Sequence, residues 1–524
     1  MFENKQIPPL ENELPSAYAD RMGILYSQRV KLQHKKTRGQ FFTPPEIARF
    51  MGSLACSTKD KIKILDPGCG TGILTCALVE SLVERNRNLE QIELVAYETD
   101  DELITFSSES LNYLSKWLLS RGIKFKSVLT VSDFILENKE TLIRQSPQVE
   151  HFDYVISNPP YFKLSKEDQR AIIGRRIVSG QPNIYSVFLA VASKLLVSDG
   201  ELIFITPRSF ASGDYFRAFR EFFFANATIK HIHLFHSRKE AFSRENILQE
   251  TMIMVATPKQ KKDEEARVVI SSSYGMKDLC KRKTREYKHE EIIDLNSKEK
   301  ILHIPVNEYE EKVINLFKSW DGNLHQYDIK ISTGPVVAFR TKKYIYETNQ
   351  VNKILLTSLF WLHNVRKMKI EWPIFRENKS QYIKIGRETQ SILIPNKNYI
   401  FLRRFSSKDD KSRLIASPYF FDFTQENYIG VENKLNYIYR SNGHLDRDEV
   451  LGLSALLNSN LFDTYFRTFN GNVNVSATEL RAMPLPPLEV IKNIGRDILI
   501  RNNFSESHIN ELVEEYLEMD AVSI

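Results

Sequence analysis

A chain of 524 residues is longer than one hydrophobic core normally supports, so two or more domains are expected. With 42% hydrophobic and 26% charged residues it has the composition of an ordinary folded protein, and no run of 18 apolar residues offers a membrane span. The net charge of +6 is small but uneven: Ile331–Phe420 carries +11, whereas "ELVEEYLEMD" near the C-terminus carries −5.

Other classes fall away on local grounds. The opening "MFENKQIPPLENELPS" is acidic and lacks an apolar core, so no secretory signal is expected. Cys56, Cys69, Cys76 and Cys280 fit no CxxC or Cys/His spacing. They read as reduced thiols of a cytosolic protein, with neither a metal site nor a disulfide frame. The basic middle of the chain suits phosphate neutralisation, or is the solvated face of a basic domain.

In chain order, "KIKILD" (61–66) is a strand running into a glycine-rich turn, and "ALVESLVERN" has helical spacing. "IELVAYE" (92–98) is a second strand, followed by a helix over about 100–120. "SVLTVSDF" (127–134) and "FDYVISN" (152–158) are further strands. "YSVFLAVASKLLVSDG" (185–200) reads as an amphipathic helix stopped by Asp-Gly, and "ELIFITP" (201–207) as a buried strand closed by proline. "YFRAFREFFF" (215–224) is helical, "TIKHIHLF" (228–235) extended, and "ILQETMIMVATP" (247–258) the last strand. This alternation predicts a doubly wound α/β sheet, with "KQKKDEEAR" (259–267) as an exposed connection. The second half loses the alternation. It is aromatic-rich, with short strand-like pieces such as "QYIKIG" and "NYIFLRRF", and is expected to be a separate α+β module. "FNGN" reads as a hairpin turn, "VNV" as a strand, "SATE" (476–479) as a capping box, and "PLPP" as a helix stop.

The chemistry is concentrated at strand ends. "DPGCGTG" follows the first strand, and Gly68, Gly70 and Gly72 let the backbone turn tightly around a ligand. The spacing misses the dinucleotide pattern G-x-G-x-x-G by one residue and resembles that of S-adenosylmethionine sites in methyltransferases. Glu98 ends the second strand, where a carboxylate can accept ribose hydroxyls. Asp133 is placed to accept from an adenine amine, with Phe134 packing on the ring. Each acid taken singly also reads as a helix cap or solvated loop residue.

"VISNPPYF" ends the fourth strand abruptly, because two prolines cannot extend a ladder. An exocyclic amine is a poor nucleophile, since its lone pair is delocalised into the ring. Two acceptors aimed at its N–H groups favour a pyramidal nitrogen and turn the lone pair toward a methyl donor. Asn158 supplies a side-chain carbonyl, Pro159 a main-chain carbonyl, and Tyr161 a flat face for an extruded base. The bland alternative is a rigid turn with a packed tyrosine.

Over about Arg38 to Pro258 the motif order resembles the gamma class of DNA adenine-N6 methyltransferases, the TaqI-like modification methylases. The resemblance implies a Rossmann-like methyltransferase domain using S-adenosylmethionine, followed by a target-recognition domain. It places Thr43 of "RGQFFTPPEIARFM" near the methionine end of the cofactor. Asp66 takes the acidic position of the glycine loop, and Glu98, Asp133, Phe134, Pro160 and Phe188 join the cofactor site. Asn158, Pro159 and Tyr161 form the catalytic tetrapeptide with Pro160. Phe242, or the nearby Phe235, packs against the target base. "STGPVVAFR" and "LNSNLFDTYFRTFNGNVNVSATELRAMPLPP" resemble pieces of recognition modules, and Arg340, Lys342, Lys343, Arg366, Lys367, Arg403 and Arg404 are the candidate DNA contacts.

The expected organisation is a helical extension over 1–37, the methyltransferase domain over 38–260, a connection over 261–300, the recognition domain over 301–488 and a helical tail over 489–524. The expected partner is double-stranded DNA, with a separate restriction endonuclease as a functional rather than physical one. A monomer is expected, cytoplasmic in a bacterium and held to the nucleoid through DNA, with no membrane contact. Release-factor glutamine methylation shares Asn-Pro-Pro-Tyr, but those enzymes are shorter and lack "GQFFTPP". RNA adenine methylation and a non-catalytic nucleic-acid binder are the other readings. The short stretch before "GQFFTPP" leaves too little chain for a nuclease domain, so no DNA cleavage is expected.

Overall fold

The computed structural model describes residues 7–143, 149–178, 182–237, 250–260, 266–348, 354–406 and 410–517. The chain forms two compact units, Met1–Val306 and Asn307–Ile524.

The first unit is built on nine strands: β1 (Lys61–Asp66), β2 (Gln91–Glu98), β3 (Lys124–Val131), β4 (Phe152–Ser157), β5 (Leu196–Pro207), β6 (Ala227–Phe235), β7 (Thr251–Pro258), β8 (Arg267–Ser273) and β9 (Lys283–Lys288). Their order across the sheet is β3-β2-β1-β4-β5-β7-β6-β8-β9. β1 to β5 run parallel, and β7 is antiparallel to both neighbours. Adjacent residues on a strand point to opposite faces, and here each face has its own core. Leu202 and Phe204 enter one core while Ile203 and Ile205 enter the other; Met252 and Met254 oppose Ile253 and Val255 in the same way. Such two-sided burial explains why these strands read as unbroken apolar runs.

Helices cover both faces. On one lie α1 (Pro15–Arg29), α3 (Pro45–Ser53), α4 (Ile73–Arg85) and α5 (Asp101–Leu119), with the short α2 (Leu32–Arg38) between the first two in sequence. On the other lie α6 (Phe134–Glu137), α8 (Gln169–Gly174), α9 (Ile184–Ser193) and α10 (Arg217–Asn226), while α7 (Glu140–Ile143) is a single turn. The doubly wound expectation therefore holds.

Three local expectations change. The helix expected to run to Gly200 ends at Ser193, and Leu196 already pairs with Phe152 in the sheet. A register shift between Phe152 and Tyr154 accommodates the early start of β5. Moreover α9 is buried on every side rather than amphipathic. Residues 261–300, expected as a connection, supply β8 and β9 to the sheet, since "RVVISSS" pairs in parallel with β6.

The second unit contains a four-stranded antiparallel sheet (Ile329–Thr333, Leu435–Arg440, Tyr399–Arg403, Ala416–Tyr419) and a five-stranded mixed sheet that includes Leu356–Phe360. "SATE" is a capping box: Ser476 Oγ accepts from Thr478 N at 3.2 Å, and Ser476 N donates to Glu479 at 3.2 Å. The hairpin expected at "FNGN" does not form, because the helix Asn460–Phe469 runs directly into it and Asn474 makes only a single bridge, to Phe405. The acidic C-terminal segment begins within the helix Glu506–Tyr516, which buries Ile509, Leu512 and Val513.

Candidate active site

Sheet order reverses between β1 and β4, so the chain leaves these two strands in opposite directions and opens a crevice at their C-terminal ends. A cavity of about 320 Å³ lies there, within the range of small-ligand sites. Gly68, Gly70, Glu98, Asp133, Phe134, Asn158, Pro160 and Phe188 all line it. Thus four strand ends that are far apart in sequence deliver the expected residues to one place.

The glycine loop follows from its backbone. Gly70 and Gly72 take φ of +53° and +82°, which side chains rarely adopt, and Gly72 caps α4. Gly70 N donates to Glu98 Oε2 at 3.0 Å, while Glu98 Oε1 accepts from the Thr99 and Asp100 amides at 2.8 and 3.0 Å. Burial raises the Glu98 pKa, and these three amides oppose the shift. These bonds hold the carboxylate in one orientation and take three of its four lone pairs, leaving one on Oε2.

Asp133 does two jobs. One oxygen accepts from the Ile135 and Leu136 amides at 2.9 and 3.1 Å, capping α6, and the other meets Arg170 at 3.3 Å. The cap reading of this acid is visible, and the residue also lines the cavity. Arg170 also pairs with Asp168 at 2.6 Å and lies over the Phe162 ring, 5.6 Å from its centre. Phe134 sits between Tyr97 and Phe188, with ring centres 5.4 and 5.3 Å away, making an aromatic wall.

Asp66, Gly72, Thr43, Pro159 and Tyr161 are not among the lining residues. Asp66 is fully buried beneath the loop, where it accepts from Thr75 Oγ1 at 2.7 Å, and burial pushes its pKa up to about 7. It ties the end of β1 to Thr75 of α4. Thr43 is buried as well, and its hydroxyl accepts from Asn158 Nδ2 at 3.1 Å. Phe242 lies outside the described residues. Phe235, the other aromatic considered, is buried in the core on the α3–α4 face.

The Asn158 amide is held on every side. Its Nδ2 donates to the Phe41 carbonyl at 3.0 Å and to Thr43, and its Oδ1 accepts from the Tyr161 hydroxyl at 2.6 Å. The Ile205 carbonyl, 2.9 Å from the same hydroxyl, is an alternative acceptor for its one proton, and burial drives the Tyr161 pKa well above the ordinary range, so it stays a donor.

Sequence reasoning missed the segment that closes the cavity. Thr37 to Phe42 line it, tied down by Asp100. One Asp100 oxygen accepts from Tyr26, His34 and Gln40 at 2.6, 2.8 and 2.8 Å. Burial works against that carboxylate's charge, yet these donors hold it below its usual pKa. "RGQFFTPP" was a visible motif, but nothing in its spacing singled out Gln40 or Phe42.

Of the seven basic candidates in the second unit, Arg340, Lys342 and Lys343 are exposed on the turn after Val337 and form no ion pair among the described residues. Arg366 pairs with Glu371 at 3.2 Å and Lys367 with Glu506 at 3.0 Å. Arg403 and Arg404 donate to the carbonyls of Val365 and Asn433. Among the described residues no acidic, histidine or cysteine cluster could hold a metal ion, and no helix is long and apolar enough to cross a membrane.

Fold and crevice together define an S-adenosylmethionine-dependent methyltransferase with a Rossmann-like sheet. The Eco57I restriction-modification methylase family matches residues 53–242. Type II methyltransferase M.BsuBI of Bacillus subtilis is 32% identical over 93% of this chain and 96% of its own. M.PstI of Providencia stuartii is 31% identical over 92% and 93%. M.AccI of Acinetobacter calcoaceticus is 25% identical over 40% and 35%. The chain belongs to the Type II methyltransferases of restriction-modification systems, and is a site-specific DNA methyltransferase.

Proposed function

We propose that the chain methylates the N6 amine of adenine within a specific sequence of double-stranded DNA, after the base has turned out of the duplex. The observation that carries this reading is the fixed orientation of Asn158. Both amide hydrogens are engaged by Phe41 and Thr43, so only the oxygen, which accepts from the Tyr161 hydroxyl, can turn to meet an amine. A carbonyl at the rim of the cofactor crevice suits a nucleophile that needs no prior deprotonation. Pro159 contributes the second acceptor through its main-chain carbonyl, and proline fixes the loop's φ.

The residues present fit the cofactor. Glu98 is aimed at ribose hydroxyls, the free face of Asp133 at the adenine amine, and Phe134 and Phe188 at its ring. S-adenosylmethionine supplies the electrophilic methyl group. What the protein contributes is placement, exclusion of water by Thr37–Phe42, and acceptors that draw the amine's hydrogens away from the methyl. The amine sheds its proton after transfer.

The second unit serves as the recognition domain, with its basic residues contacting phosphates or base edges. The reading implies a separate endonuclease that cuts the unmethylated sequence, a monomeric methyltransferase, and a cytoplasmic location on DNA. Modification-sensitive sequencing of a methylation-deficient host expressing the chain tests the whole. N6-methyladenine within one short motif is expected; methylated cytosine, or no modified base, overturns it.

A further inference from the structure

We propose that Thr43 is a positioning residue for the Asn158 amide, in place of the cofactor contact that its motif suggests. The inference rests on Asn158 being the amine acceptor. Three observations carry it. Thr43 is buried, does not line the cofactor crevice, and places Oγ1 3.1 Å from Asn158 Nδ2. Its neighbour Phe41 accepts the other Nδ2 hydrogen at 3.0 Å. Finally, the segment lies directly on the catalytic turn: Gly39 has φ of +61°, and a Cβ there would sit 3.1 Å from Tyr161 N and 3.0 Å from the Phe162 ring.

The chemistry makes this pairing consequential. An amide has one acceptor end and one donor end of nearly equal size, and only hydrogen bonds decide which faces a substrate. If Asn158 turned over, its NH2 would point at the incoming amine, donor against donor, and the electronic effect would vanish. The Phe41 carbonyl can only accept, so it excludes the flipped state, and the Thr43 hydroxyl takes the second Nδ2 hydrogen and so fixes the plane in which the amide lies. Tyr161 supplies the matching donor on the opposite side, at 2.6 Å from Oδ1. An amide oxygen turned against the Phe41 carbonyl leaves two acceptors facing each other, which is unfavourable enough to bias the two orientations strongly.

The experiment compares Thr43→Val, which keeps the shape and removes the acceptor, with Thr43→Ser, which keeps the acceptor, and with Asn158→Ala. Cofactor affinity is measured by calorimetry on the full chain. Single-turnover methyl transfer from saturating labelled cofactor is measured on genomic DNA from a methylation-deficient host. For Thr43→Val a transfer rate at least tenfold lower is expected, with cofactor affinity within about threefold of the parent, which also reports an intact fold. Thr43→Ser should restore the rate to within about threefold. The proposal is overturned if Thr43→Val weakens cofactor binding tenfold or more while transfer at saturation is unchanged, for Thr43 then acts on the cofactor. An active Asn158→Ala protein would bring down the acceptor reading itself; an inactive one beside an unimpaired Thr43→Val brings down only the positioning role.

Discussion

Tyr161 donates its hydroxyl proton to the side-chain oxygen of Asn158 across 2.6 Å. That oxygen is the one an incoming amine would need, so the phenol occupies the amine's place. It can yield at little cost, because the Ile205 carbonyl lies 2.9 Å away as an alternative acceptor.

Removing only the hydroxyl should therefore do limited harm. Tyr161→Phe leaves the Ile205 carbonyl short of a donor, a loss of about 1 kcal/mol in stability, with transfer slowed less than about tenfold. Tyr161→Ala also deletes a ring packed near Phe41 and Tyr185. Its transfer rate should fall at least 100-fold. Urea unfolding and single-turnover assays separate the two variants, and equal rate losses would assign the whole effect to the hydroxyl.

Much of this site is legible in the sequence because each strand of the parallel sheet ends on its functional residue. The apolar run fixes where "KIKILD" and "FDYVISN" stop: β1 ends at Asp66 as read, and β4 at Ser157, one residue before the expected Asn158. Thr43 is expected near the cofactor, whereas its hydroxyl meets Asn158, because its motif gives proximity to the site but no side-chain direction. Arg170 was missed because it enters from a helix of six residues with no motif of its own. β8 and β9 went unseen since they are added at the sheet edge, after the apolar alternation has ended.

Asp133 caps α6 and, in the function proposed above, also holds the cofactor, and substitution can separate the two. Asp133→Ala loses the α6 cap and should cost about 1 kcal/mol, as well as weakening cofactor binding. Asp133→Ser can still accept from the Ile135 and Leu136 amides, so stability should return while affinity does not. Thermal melts paired with calorimetry test this; recovery of both together would leave only the cap.

His231 and His233 give the fold a pH dependence. Both rings bond Ser271 Oγ, at 2.7 and 2.8 Å, and His233 also reaches Ser273. Burial, aided by Arg282, lowers their pKa values from 6.5 to about 4 and about 3; Asp278 weakly opposes this for His233. Because the folded values lie below the unfolded ones, the unfolded chain takes up protons first as pH falls. Stability is thus complete above about pH 6.5 and drains between there and pH 3 to 4. From pH 7 to pH 5 each ring should cost about 2 kcal/mol. His231→Gln should shrink that loss by about one ring's share in urea titrations, and an unchanged loss would place the titration elsewhere.

The seven basic residues of the second unit should not contribute equally to DNA binding. Each phosphate contact adds about 0.9 to the slope of log affinity against log salt. Arg340, Lys342 and Lys343 stand exposed and outside any ion pair among the described residues, so their charges are available without breaking one. Arg366 and Lys367 must first leave Glu371 and Glu506. Arg403 and Arg404 are spent on main-chain carbonyls. Replacing Arg340, Lys342 and Lys343 together by alanine should reduce the slope by up to about 2.7, whereas the Arg366→Ala and Lys367→Ala pair should leave it nearly unchanged. Fluorescence titrations of a labelled duplex across a salt series read this directly. Equal reductions in both variants would mean that the ion pairs open on DNA, and the exposed turn would lose its special place.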